Sequence, residues 1–89
     1  MPRGGGVPVS GTLTGIGTSA VALATSQFCR SIGLQADPDN LNDVFIGDAT
    51  NQNMQLSAGA SLSIEVADPA TLFARAPTGT QVVNFIMVK

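Results

Sequence analysis

Leu62, Ile64 and Val66 alternate with Ser61, Ser63 and Glu65, the cleanest period-two run in the chain. In extended backbone, successive side chains point to opposite faces, so such a run offers one face to a core and the other to solvent. The pattern recurs where Phe28, Ile32 and Leu34 face one way and Cys29, Ser31, Gly33 and Gln35 the other. Helical periodicity never lasts more than a few residues. Its nearest approach is the Ala-rich stretch from Ser19 to Ser26, which allows one helical turn.

Turn chemistry separates the extended runs. Asp37-Pro38-Asp39-Asn40 ends the strand containing Ile32 and Leu34, because Pro fixes φ and Asp and Asn cap their own backbone. Val44 to Asp48 forms the next strand, Asn51 to Asn53 a polar turn, and Met54 to Leu56 a short pairing segment. After the alternating run, Asp68-Pro69 breaks the chain. Leu72 to Arg75 begins another strand, and Pro77 to Thr80 turns into a last one, Gln81 to Val88. Strands spaced about eight to twelve residues apart, with Gly, Pro, Asp or Asn between them, predict an all-β chain. The architecture expected is a small antiparallel β-sandwich or barrel, jelly-roll or immunoglobulin-like. Residues 1–10 read as a flexible Gly-rich arm and residues 11–89 as a single sandwich domain.

A chain of 89 residues holds one core, and chains this short usually need disulfides, a structural metal or oligomerisation to hold that core together. One Cys and no His rule out an internal disulfide and a soft zinc site. Oligomerisation remains, and Cys29 reads as a small buried hydrophobe. Charged residues make up only 11% of the sequence, well under the roughly 25% of an average soluble domain. Ser, Thr, Asn, Gln, Gly and Ala stand where a dispersed monomer would carry Lys and Glu, and a surface of that kind suits contact with neighbours. Four cations against a net charge of −2 give no basic stripe for nucleic acid. No stretch has the apolar length of a membrane helix. The N-terminus lacks a secretory pattern, so synthesis and retention in the cytoplasm until assembly are expected.

Catalysis finds no obvious home. Without His, acid–base chemistry near neutral pH would rest on perturbed carboxylates or Cys29, and neither has an evident partner. Asp37, Asp39 and Asp43 resemble a calcium loop superficially, but Leu41 stands where an oxygen ligand is needed, and the set reads as a solvated turn. Gly15 and Gly17 lack the third glycine of a phosphate loop. The expectation is a non-enzymatic protein without metal or cofactor. Neither Trp nor Tyr is present to stack on sugars. Phe28 and Phe85 read as core. Phe45 and Phe73 fall opposite Val44/Ile46 and Leu72/Ala74 in their strands, so each is a candidate for an outward subunit contact. Arg30, on an apolar face, is expected at a sheet end or against Asp43 or Asp48.

From Ser26 to Lys89 the order of segments resembles a group of small phage virion proteins: capsid decoration, cement and head-fibre components. The resemblance rests on Cys29-Arg30-Ser31-Ile32, on Val44-Phe45-Ile46-Gly47-Asp48, and on the turn Ser57-Ala58-Gly59 opening the alternating strand. Leu72-Phe73-Ala74-Arg75 and the closing run Val82 to Val88 complete it. Phe45 stands where Tyr is common in that group and Ala58 where Pro is common. The resemblance implies a structural protein of the virion, seated between major capsid protein subunits and stabilising the shell, as a homotrimer. A tail, baseplate or head-fibre module is the alternative. The contact residues expected are Pro2, Arg3, Val7 and Val9, on an arm that straps the shell, together with Phe45, Phe73 and Arg75.

Overall fold

The alternation at 61–64 becomes a strand with its Leu and Ile turned toward a core, and seven further strands assemble around it in the computed structural model, which describes residues 7–89. In chain order the strands are β1 (Pro8–Ile16), β2 (Val21–Ala22), β3 (Ser31–Ala36), β4 (Val44–Gly47), β5 (Gln52–Leu56), β6 (Ser61–Ile64), β7 (Phe73–Arg75) and β8 (Gln81–Val88). They form two four-stranded sheets, β1-β8-β3-β6 and β2-β7-β4-β5, with every pairing antiparallel. The protein is therefore all-β, as the alternation and turns predict. The pairs β1·β8, β2·β7, β3·β6 and β4·β5 nest inside one another around the β4–β5 hairpin. This is the winding of a jelly roll, in which a long folded ribbon rolls into two packed sheets.

The core lies between the sheets. β3 shows the alternation in burial: Ile32, Leu34 and Ala36 are buried, while Ser31, Gly33 and Gln35 are only partly so. Ile16, Val44, Ile46, Val83 and Met87 meet them from both sheets, each at most 1% exposed. Burial of a side chain of this size is worth about 1.5–3 kcal/mol. Two glycines answer local crowding. Gly11 pairs with Phe85 across β1·β8, and a Cβ there would stand 2.6 Å from the ring's Cζ, so the ring lies across the bare backbone. At Gly47 a Cβ would overlap the carbonyl oxygen of Asn51, a backbone atom with no freedom to step aside.

Three expectations need correction. Phe28 is not core: it is 67% exposed, whereas Cys29 is fully buried. β3 begins only at Ser31, so the alternation does not extend back through the bend at Arg30, and the assigned faces of residues 28 and 29 are exchanged. The stretch from Ser19 to Ser26 holds no helical turn. Its Val21 and Ala22 pair with Ala74 and Phe73, and the Leu23 amide donates to the Leu72 carbonyl at 2.8 Å, so long-range pairing overrides the helical preference of Ala. The single helical turn among the described residues is a 3-10 turn at Pro69–Thr71, with Asp68 as its cap. Lastly, the boundary drawn at residue 10 falls inside β1. Pro8, Val9 and Ser10 pair with Val88, Met87 and Ile86, and strand pairing ties this part of the expected arm to the domain. The arm's first six residues, with Pro2 and Arg3, lie outside the described residues. Arg30 is exposed, immediately before β3, at a sheet end as expected.

Candidate docking face

Val44 and Ile46 of β4 and Ala74 of β7 turn into the core. Strand alternation then sends Phe45, Phe73 and Arg75 to the opposite, outer face of their sheet. The register puts them together: Phe45 pairs with Arg75, and Phe73 pairs with Gly47, the next residue but one after Phe45. Both rings are half-buried, and neither belongs to the set packed against the core. The Arg75 guanidinium lies over the Phe45 ring, 5.1 Å from its centroid. Cation and ring face attract at that distance by the ring's quadrupole.

The guanidinium is also braced from the side. Its Nε donates to Gln52 Oε1 at 3.2 Å and its Nη2 to the Gln52 carbonyl at 3.5 Å. Gln52 is itself 8% exposed and donates through Nε2 to the Asp48 carbonyl at 2.7 Å. Asp48 is fixed in turn, its carboxylate accepting the Thr50 and Asn51 amides at 2.8 and 2.6 Å. Those bonds, that from Asn51 first, hold its carboxyl below the usual carboxylate range. A chain of contacts thus runs from a tight turn to the cation. Both groups that Arg75 meets in it are neutral oxygens. Beyond Phe45, Gln55 donates to Asp43 and closes the far side of the face.

The sequence singled out seven contact residues, and the structure unites three of them. Phe45, Phe73 and Arg75 share this face. Val7 and Val9 lie on the other sheet, at the open side of β1, 66% and 37% exposed. Exposed apolar residues that the sequence reading did not select as contacts are Phe28, which it placed in the core, and Leu41, Met54 and Ile86. Leu41 sits between two Asn in a turn and Ile86 in an apolar strand, so neither stands out in a pattern of alternation.

Elsewhere, polar side chains serve the fold. Asn40 donates to the Val82 carbonyl at 2.8 Å and accepts its amide at 2.9 Å, acting as a short extra strand. Gln81 Oε1 accepts the amides of Leu41 and Asn42. Asp37 takes the Asp39 amide and the Asn84 side chain, and both lower its pKa, the amide more. Asp68 ties the β2–β3 connection to the 3-10 turn. It accepts from the Ser26 hydroxyl at 2.7 Å, from the Ala70 amide at 2.9 Å and from the Gln27 amide at 3.2 Å, and its pKa is lowered chiefly by the hydroxyl. Burial, with the Asp68 charge adding to it, pushes the Cys29 thiol up, and its Sγ donates to the Val66 carbonyl at 3.0 Å. A protonated, inaccessible thiol is a poor nucleophile. Among the described residues no group of three or more His, Cys, Asp or Glu side chains is placed to hold a metal ion.

Comparison with known proteins adds no relative: no family model, no curated protein and no solved structure matches this chain.

Proposed function

We propose that this protein is a phage capsid decoration or cement protein, docking on the assembled shell through the outer face of the β2-β7-β4-β5 sheet. The observation that supports this reading is the grouping of Phe45, Phe73 and Arg75 outside the core. Aromatic residues and Arg are the side chains that most often dominate binding at protein interfaces. Here the cation is held in place before any partner arrives, which lowers the ordering cost of binding. The sparse charge of the chain and its resemblance to small virion proteins point the same way. The jelly-roll winding occurs among capsid proteins, a link of fold alone.

The mechanism is binding free energy. A ligand that engages only the assembled shell stabilises it by mass action. Many copies, each with an interface of roughly 1,000 Å² or more, multiply a modest contact. The major capsid protein is the proposed partner and the virion surface the proposed location. The test is co-sedimentation of the purified protein with mature and with unexpanded phage shells, scored by copies bound per particle. Saturable binding of many copies to mature shells is the expected result. Binding of a few copies at a tail or fibre would replace this reading with the tail, baseplate or head-fibre one, and no binding would end both.

A further inference from the structure

β1 lies at the side of the β1-β8-β3-β6 sheet, paired with β8 on one flank and, among the described residues, open on the other. Val7 and Lys89 exchange both backbone hydrogen bonds, amide to carbonyl, at 3.2 and 2.9 Å. Antiparallel ladders alternate bonded and non-bonded pairs. Val9, Gly11 and Leu13, opposite Met87, Phe85 and Val83, therefore also spend their backbone groups on β8. The amides and carbonyls of Ser10 and Thr12 point the other way, as does the carbonyl of Pro8, with no strand beyond them among the described residues.

The sheet edges are not alike. β2 is two residues long, and β6 is four residues long and runs into Glu65. β5 carries a register shift opposite Ile46 and Gly47. Shortness, charge and bulges are the devices that keep an edge from pairing with another chain. β1 has nine residues, no charged side chain between Val7 and Ile16, its proline at the first position, and its irregularity confined to the stretch beyond Leu13. It is the longest edge and the least guarded.

We infer that β1 pairs with β1 of a second copy, antiparallel, about a two-fold axis through Gly11. In that register Ser10 and Thr12 exchange backbone hydrogen bonds with Thr12 and Ser10 of the second copy. Val9, 37% exposed, comes opposite the second copy's Leu13, so two apolar pairs form, one on each side of the axis. Gly11 meets its equivalent at the close, non-bonded position, where the absence of a side chain lets the backbones approach. Shifting the register by two residues would set Val9 against Gly15 in one direction; in the other it would set Val9 against Gly11 and lose the close Gly11–Gly11 approach, with Val7 opposite Leu13. A second copy suits the edge because the strand is self-complementary in this register. The net charge of −2 raises no barrier there, since β1 contributes none of it. The contact closes at two copies, where the resemblance implied three, and it needs no shell.

Light scattering as a function of concentration, with Thr12→Pro and cysteine cross-linking, tests this. Thr12→Pro removes an amide that has no partner among the described residues of the single chain, and proline is accepted on the free side of an edge strand. The wild-type mass should be that of two chains, and that of Thr12→Pro one chain, with unchanged far-UV circular dichroism. Bonded antiparallel pairs hold Cα atoms about 5.5 Å apart, within disulfide reach. Oxidising a mixture of Ser10→Cys and Thr12→Cys should therefore give a linked pair, and neither variant alone should; buried Cys29 takes no part. A wild-type monomer, a mass of three chains, a dimer indifferent to Thr12→Pro, or cross-linking of either variant alone overturns the inference. If Thr12→Pro fails to fold, the cross-linking result decides.

Discussion

The two outer faces of this sandwich differ in kind. On the β1-β8-β3-β6 sheet the outward positions include Ser10, Thr12, Ser31, Gly33, Gln35, Ser61, Ser63 and Asn84, with Val82, Ile86 and Val88 of β8 the aliphatic residues among them. Thr12 donates to Asn84, which donates to Asp37, so polar groups there satisfy one another. On the β2-β7-β4-β5 sheet the corresponding positions carry two aromatic rings and a braced guanidinium. The first face is mostly polar and carries no aromatic ring or cation among these positions. The second leaves aromatic surface and a cation with more to gain from a partner.

The sharpest break of that comparison is Gly47→Ala, which forces a methyl group into the Asn51 carbonyl. It should cost about 3 kcal/mol or more in urea unfolding, at the upper end for overpacking, because backbone must move. Shell binding should fall with it, since Gly47 pairs with Phe73 and adjoins Phe45. Phe45→Ala acts more selectively. It should lower shell affinity about thirtyfold, as expected of an interface anchor, while costing the fold only ~1 kcal/mol for the ring and its cation contact. Arg75→Lys keeps the charge but loses the planar group that both covers Phe45 and bonds to Gln52, and should weaken binding in the same titration. Ser61→Ala and Ser63→Ala, on the mostly polar face, should shift stability by less than about 0.5 kcal/mol and leave binding unchanged.

Acid should produce the smallest effect near neutrality and a growing one below it. Asp37, Asp48 and Asp68 all have lowered pKa values in the fold. Their contribution is fully present above the ordinary carboxylate pKa and is lost as pH falls through the folded values. Stability should therefore be flat through neutral pH and decline below roughly pH 4. Asp68→Asn should flatten part of that decline in an acid titration followed by circular dichroism.

Much of the architecture was legible because alternation is a local signal. Leu62 and Ile64, Ile32 and Leu34, and Val44 and Ile46 each announced which face turned inward. The same parity marked Phe45 and Phe73 as outward, and with Arg75 they form the candidate face. β2 was not legible, because two residues carry no period and Val21 and Ala22 are held by pairing with residues more than fifty positions away. Phe28 misled because its alternation with Ile32 crosses a bend at Arg30 that the pattern does not record. Nor could spacing show that Gln52 braces Arg75, since that contact depends on β5 and β7 flanking β4.

The most direct measurement is a titration of mature phage shells with the wild-type protein, Phe45→Ala and Ser63→Ala, each confirmed folded, with bound copies counted after sedimentation. Wild type and Ser63→Ala should saturate the shell at the same concentration, and Phe45→Ala should require about thirty times more. Equal binding by all three, or loss with Ser63→Ala alone, would contradict docking through the Phe45, Phe73 and Arg75 face.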